Sequence, residues 1–169
     1  EYMRLDANGW KPFASVPGDD ALTTEPLFFA AGNSSLYMLD SRDRDKSALM
    51  LVDLNTKART IVAESDKSDV GYVISDPVTS EALAYASEYD RMEWTALKPE
   101  LDGDIKFLNK QASGFWTLLS QSKNNNLWTV WIDNSGEPIK FGLYDRKKRT
   151  LKTLFAARPN LEGAPLPLM

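Results

Sequence analysis

The chain has 169 residues, of which 43% are hydrophobic and 26% charged, so it has enough apolar material for a folded core and too much for disorder. Its net charge is -4, its basic residues are scattered, and its longest apolar runs have five residues, which argues against nucleic acid and membrane partners. The absence of cysteine and histidine excludes thiolate nucleophiles, a Ser-His-Asp triad and histidine-based metal sites, and we expect neither a metal nor a cofactor.

The first predicted element is an isolated strand over residues 10–16. The turn-forming run Pro17-Gly18-Asp19-Asp20 follows it and leads toward the next strand. The chain begins at Glu1 with neither an initiator methionine nor an apolar signal core. We therefore expect residues 1–24 to be the end of a preceding structural unit and a crossing segment.

Four short strands are predicted between residues 25 and 65. Each is rich in β-branched, aromatic or leucine residues, and polar turns such as Gly32-Asn33-Ser34 separate them. The predicted strands are 27–31, 35–40, 48–53 and 59–63.

The region 70–112 combines three predicted strands with a helix. The strands are 71–75, 81–87 and 92–97. Over residues 99–111, Leu101, Ile105, Leu108 and Ala112 follow helical spacing, and acidic residues stand in the first turn, where the helix dipole favours them. We expect this helix to replace or cover the outer edge of the sheet.

The region 113–157 again predicts four strands, 115–120, 127–133, 139–145 and 150–156. The turns Asn124-Asn125-Asn126 and Asn134-Ser135-Gly136 tolerate positive φ. Alternation along the second strand places Leu127, Thr129 and Trp131 on one face and Trp128, Val130 and Ile132 on the other. Both faces are largely apolar, as in a sheet that is stacked between two neighbours.

An internal repeat relates the first and last of these regions. Residues 51–62 resemble residues 143–154: in each, an apolar strand ends at an aspartate, a polar turn follows, and the next strand begins at Arg-Thr. Asp53 and Asp145 are 92 positions apart, which is two periods of about 46, the size of a four-stranded propeller blade. The sequence therefore predicts an all-β, partial β-propeller over residues 1–157, with about three four-stranded blades (25–65, 70–112 with the helix, and 113–157).

Several stretches of the chain resemble the non-catalytic propeller of the prolyl oligopeptidase family of serine peptidases, near its acylaminoacyl-peptidase and dipeptidyl-peptidase-like members. The similarity covers most of the chain from Trp10 onward. It is carried most specifically by Glu88-Tyr89-Asp90-Arg91-Met92-Glu93-Trp94 and by the exit Arg158-Pro159-Asn160-Leu161. It is also carried by residues 36–45, 48–49, 53–54, 76–77, 84–87, 143–146 and 154–155.

The resemblance implies that residues 158–169 are a linker to an α/β-hydrolase domain that bears the catalytic residues. This chain contains no Gly-x-Ser-x-Gly motif, because Gly32-Asn33-Ser34-Ser35 lacks the closing glycine, and it has no histidine to activate a serine. The resemblance thus implies a non-catalytic piece that gates or assists the access of peptide substrates to that missing partner domain. The bacterial cytoplasm and the periplasm both remain open as locations.

Glu88, Asp90, Arg91 and Glu93 are the candidate substrate-binding residues. Charged groups at a strand end can reach a peptide terminus across a domain interface. The alternative, which we weigh more heavily, is a local salt-bridge network that fixes the turn.

Other clusters favour structural explanations. Asp40, Asp43 and Asp45 with Ser41 are spaced like calcium ligands, but Arg42, Arg44 and Lys46 interleave them and no glycine or terminal glutamate follows. Trp94, Trp116, Trp128 and Trp131 suit an inter-blade core better than a stacking platform for sugars or bases. The charged runs 65–69 and 146–149 are typical of solvated turns.

Two other functions remain open from the sequence. One is a protein-interaction propeller without a peptidase domain; the other is a glycan-cleaving propeller that uses carboxylate pairs, although no acidic pair stands out. Because closed propellers need about four to eight blades, three blades leave open ends, and we expect the isolated chain to self-associate. That would give a homodimer through the open blade ends, with an open arc as the alternative.

Overall fold

The structure, a computed structural model, describes residues 1–112, 115–134 and 136–166. The chain forms two compact units, the first from Glu1 to Gly71 and the second from Tyr72 onward. The predicted turn residue Ser135, the start of the predicted blade at 113–114 and the end of the linker at 167–169 lie outside the described residues.

The first unit contains two antiparallel sheets. A hairpin of β1 (Tyr2–Asp6) and β2 (Gly9–Ala14) is followed by β3 (Glu25–Phe29), β4 (Ser35–Asp40), β5 (Ala48–Asp53) and β6 (Arg59–Ala63), which pair in consecutive order. The prediction of an isolated strand over 10–16 was wrong, because β2 pairs with β1 along its length. The sequence signal of β1 is weak because arginine and aspartate interrupt its apolar residues.

One face of the four-stranded sheet carries an apolar cluster, and Leu39 and Leu49 on the opposite face are also buried. Alternate residues of β4 and β5, among them Met38, Met50 and Val52, form an apolar cluster against which Phe13 of β2 packs. Side chains alternate between faces along a strand, so Tyr37 points to the opposite face, where its ring lies 4.8 Å from that of Phe28.

The second unit contains a three-stranded sheet, a helix and a four-stranded sheet. The strands β7 (Val70–Ser75), β8 (Ala82–Glu88) and β9 (Met92–Ala96) pair in order. A short 3-10 turn at Pro99–Leu101 leads into α1 (Asp102–Gln111), which contacts β9. The predicted helix is confirmed, and it stands in the chain where the two four-stranded sheets have their fourth strand.

The last sheet consists of β10 (Phe115–Gln121), β11 (Leu127–Asp133), β12 (Lys140–Asp145) and β13 (Thr150–Ala156) in consecutive antiparallel order. Trp128, Val130 and Ile132 are buried, while Thr129 and Trp131 on the opposite face are half-buried. The alternation predicted for β11 is confirmed. Four antiparallel sheets and one short α-helix confirm the all-β fold class of a partial propeller. The division into blade ranges and a linker stays a prediction.

The remaining helices are single 3-10 turns at Gly18–Asp20, Ala31–Asn33 and Pro159–Leu161. Within the described residues, none of the helices combines the length and the apolar character that crossing a bilayer requires.

The repeated aspartates have a physical explanation in the structure. Asp53 ends β5 and Asp145 ends β12, and each carboxylate accepts a hydrogen bond from a backbone N–H of the turn that follows, at Thr56 (2.7 Å) and Lys148 (3.0 Å) respectively. This Asx-type turn lets the chain reverse between the third and fourth strands. It explains why an aspartate recurs at that position.

A buried carboxylate joins α1 to the last sheet. Asp104 Oδ1 accepts a hydrogen bond of 2.7 Å from the hydroxyl of Tyr144, and Asp104 Oδ2 accepts one of 2.9 Å from Arg146 Nε. Arg146 in turn lies over the ring of Trp128, 4.7 Å from its centroid, and donates to the carbonyl oxygen of Asn125. We call Asp104, Tyr144 and Arg146 the helix clamp. The run 146–149 is therefore not simply a solvated turn, since Arg146 is largely buried.

We expect Asp104→Ala to destabilise the second unit by about 2–3 kcal/mol, because it leaves the Arg146 guanidinium, still 17% exposed, without its buried partner. The control is Asp102→Asn, which removes an exposed carboxylate from the same helical turn. Urea unfolding followed by tryptophan emission measures the change, since four of the five tryptophans lie in this unit. Equal midpoints for the two variants would show that the clamp contributes nothing.

Candidate functional site

The four predicted site residues lie around the turn between β8 and β9. Glu88 is the last residue of β8, Asp90 and Arg91 are in the turn, and Glu93 is the second residue of β9. All four side chains are exposed. We call residues 88–93 the charged hairpin.

The strands below the charged hairpin are fixed by aromatic packing. Trp94 of β9 stacks on Trp116 of β10, with ring centroids 5.1 Å apart, and its indole N–H donates to the carbonyl oxygen of Trp116 at 3.0 Å. The indole N–H of Trp116 donates to Asn109 Oδ1 of α1 at 2.8 Å. The charged side chains of the hairpin therefore project from strands that aromatic packing holds in place.

The structure brings only part of the predicted set together. Arg91 Nε lies 3.6 Å from Glu93 Oε1, and these side chains are 73% and 59% exposed. Glu88 is opposite Met92 in the register and therefore lies on the other face of the sheet from Glu93. Among the described residues, Arg91 and Glu93 form an ion pair in the hairpin, and no network joins all four side chains.

The chemistry of the charged hairpin is that of a cation-binding surface. The hairpin carries three carboxylates and one guanidinium, and the exposed Arg91–Glu93 pair contributes little to folding because water screens it. Tyr89 at the tip is 70% exposed, although an aromatic ring is normally buried. Tyr89 is not among the site residues predicted from the sequence, although its position between two acidic residues is a signal in the sequence.

The aspartates of the 40–45 loop are engaged by basic side chains. Asp40 is fully buried and takes two hydrogen bonds from the Arg42 side chain, at 2.8 and 2.6 Å, and a longer one from Arg59 at 3.3 Å. Asp43 pairs with Arg59 and Asp45 with Lys46. Basic side chains, two from the loop and one from β6, thus take the carboxylate oxygens that a cation would need.

Opposing effects act on the pKa of Asp40. Burial alone would raise the pKa, but the hydrogen bonds from Arg42 and Arg59 outweigh it and hold the pKa below its ordinary value of 3.8. Asp40 is therefore ionised throughout the physiological range, and its pairing stabilises the fold above about pH 4.

The tryptophans divide as the core interpretation predicts, with one exception. Trp94, Trp116 and Trp128 are buried in the apolar cluster of the second unit. Trp131 is half-buried on the opposite face of the last sheet, where it packs edge-on against Phe115 with centroids 5.4 Å apart.

Comparison with known proteins gives one informative relative. The chain is 35% identical over 167 residues to dipeptidyl aminopeptidase BIII of Pseudoxanthomonas mexicana, an alignment that covers 98% of this chain and 24% of the relative. No protein-family model matches the chain. The chain therefore has a peptidase-family origin, and it spans about a quarter of the length of the relative that it matches.

We expect neutralising the charged hairpin with Glu88→Gln and Asp90→Asn to change the free energy of unfolding by less than about 0.5 kcal/mol, because both side chains are exposed. Met92→Ala is the positive control, since Met92 pairs with Glu88 in the register but is buried, and its truncation should cost about 2 kcal/mol or more. Urea unfolding of the three proteins gives the comparison. A loss near that of Met92→Ala in the charge variant would mean that these residues hold the turn.

Proposed function

We propose, from the premise that the chain is a propeller segment related to the prolyl oligopeptidase family, that it is the non-catalytic part of a serine peptidase. In this proposal it gates or assists the access of peptides to an α/β-hydrolase domain located elsewhere in the longer protein. The single observation that carries the proposal is the 35% identity to a dipeptidyl aminopeptidase over nearly the whole chain.

The residue types that are missing from the chain support a non-catalytic role. The chain has no histidine, so a hydroxyl nucleophile would lack its usual base. It has no cysteine that could serve as a thiol nucleophile. The relative is about four times as long as the matched segment. The proposal therefore assigns the hydrolytic residues to the part of the longer protein that this chain does not include.

The charged hairpin is the proposed contact with substrate. A peptidase that acts near the amino terminus of a peptide must recognise an ammonium group, and carboxylates that project from a rigid base suit this task. Glu88 and Asp90 are not paired with a basic side chain in the structure as described, whereas Glu93 is partly neutralised by Arg91. We therefore assign the ammonium contact to Glu88 and Asp90 rather than to Glu93.

The second face of the last sheet is the proposed contact with the rest of the longer protein. Trp131, Phe141 and Phe155 stand directly opposite one another across β11, β12 and β13, and the Phe141 and Phe155 rings stack at 4.8 Å. Phe155 is 58% exposed. Such an apolar row is typical of an interface, and in the isolated chain a second copy would be the available cover.

The gene context separates this proposal from a protein-interaction propeller. Downstream coding sequence with a Gly-x-Ser-x-Gly motif and later aspartate and histidine codons supports the peptidase. An open reading frame that encodes only further blades supports the interaction protein.

The kinetic experiment uses the full-length gene product and a chromogenic dipeptide substrate with a free amino terminus. We expect Glu88→Gln with Asp90→Asn to raise KM about tenfold and to leave kcat within about twofold, because a charge-assisted contact that binds substrate and transition state equally is lost.

The matched control for this experiment is Asp66→Asn with Glu100→Gln, which removes the same charge from exposed positions outside the hairpin. An unchanged KM in the hairpin variant would refute the hairpin assignment alone. Failure of the full-length protein to hydrolyse any dipeptidyl substrate would refute the peptidase proposal itself.

A further inference from the structure

The first unit contains a cavity of about 330 Å³, which is at the lower end of the size range for small-ligand sites. It lies between the segment that follows β2 and the face of the sheet that carries the apolar cluster. Phe13, Pro17 and Val52 supply apolar surface, and Arg42, Lys57 and Arg59 supply positive charge. No residue of this cavity belongs to the charged hairpin.

The two arginines are oriented by one buried anion. Asp40 is fully buried, and its two oxygens take the Arg42 guanidinium in a bidentate pair and one nitrogen of Arg59. Arg42 also donates to the carbonyl oxygen of Ser15 at 3.3 Å. One carboxylate thus holds two guanidinium groups in fixed positions at the cavity, and one positive charge is in excess over this pair.

The excess positive charge is paired with the exposed carboxylate of Asp43. Asp43 Oδ2 lies 2.8 Å from Arg59 Nη2, and the Asp43 side chain is 82% exposed. Its φ is +62°, in the left-handed region that aspartate tolerates better than most residues. An exposed ion pair of this kind is weak, so Asp43 can leave the guanidinium at little cost.

Two further charged side chains of the lining, Lys57 and Asp20, determine which ligands the cavity favours. The ammonium-bearing Lys57 lies on the turn between β5 and β6, and no salt bridge is found for it among the described residues. Asp20 is the other acidic residue of the lining, and its Oδ1 already accepts a hydrogen bond of 2.9 Å from Ser41 Oγ. Lys57 therefore remains available to a ligand, and departure of Asp43 would free one nitrogen of Arg59.

We infer that this cavity is a binding site for a carboxylate attached to a small apolar or aromatic group, and that the carboxylate takes the place of Asp43 on the Arg59 guanidinium. The apolar group would lie against Phe13 and Val52, and Lys57 would add a second charge contact. Arginine is suited to this task because its planar group matches the two oxygens of a carboxylate. The inference stands apart from the proposed function, since it concerns the other unit.

The first test is a titration of the ¹⁵N-labelled chain with N-acetylphenylalanine, followed by amide chemical shifts. We expect saturable shifts at residues around the cavity, such as Phe13, Asp43 and Arg59. N-acetylphenylalaninamide has the same ring without the carboxylate and should bind at least about tenfold more weakly. N-acetylglutamate amide, with a side-chain carboxylate, distinguishes an acidic side chain from a chain terminus as the source. Equal binding of the acid and the amide would overturn the inference.

The second test uses variants whose effects have opposite directions. Asp43→Asn should tighten binding of N-acetylphenylalanine about threefold to fivefold, because it removes the competing carboxylate from an exposed position. Lys57→Gln should weaken it by a similar factor, and Arg59→Gln by at least about tenfold.

The control variant is Arg158→Gln, which removes an exposed guanidinium from the other unit and should leave the affinity unchanged. Asp43 and Lys57 are exposed, so these two variants remain informative even if Arg59→Gln fails to fold. No gain in affinity from Asp43→Asn together with no loss from Lys57→Gln would contradict the proposed site.

Discussion

The pairing of Asp104 with Arg146 and Tyr144 is the interaction on which the second unit depends. A carboxylate buried at the start of α1 would be very costly to desolvate alone, so it is stable only where the guanidinium and the phenol of β12 and its turn meet it. Arg146 also lies over Trp128, and the guanidinium of Arg149 lies over Gly103, where a larger residue would displace it. The helix is thereby fixed beside the Trp94–Trp116 stack that supports the charged hairpin.

Asp40 plays a comparable part in the first unit, with a different consequence. Both aspartates are buried and held by arginine, but Arg146 is covered by an indole ring, whereas Arg59 opens onto a cavity and is paired there with an exposed aspartate. The same kind of contact therefore fixes the helix of the second unit, and in the first unit it holds the Arg59 guanidinium at the cavity. A buried ion pair contributes to function mainly by orienting hydrogen-bond donors that stay free to bind a ligand.

The sequence predicted the parts of the fold that depend on local pattern. Alternating apolar residues located twelve of the strands within a few positions, and the helical spacing of Leu101, Ile105 and Leu108 located α1. It missed β1, whose charged residues obscure the alternation and whose pairing depends on β2. It also took Arg146 for part of a solvated turn, because its partner Asp104 is 42 positions away. The cavity was missed for the same reason: Phe13, Arg42 and Arg59 meet only in three dimensions.

The proposed function requires that the apolar second face of the last sheet is covered in the longer protein and is open in the isolated chain. Light scattering across a range of concentrations tests it most directly. We expect a dimer or larger species that Leu127→Glu with Phe155→Glu, on the exposed second face of the last sheet, converts to a monomer. Leu22→Glu with Val78→Glu, at exposed apolar positions elsewhere, should leave the mass unchanged. A wild-type chain that stays monomeric at every concentration would contradict the claim.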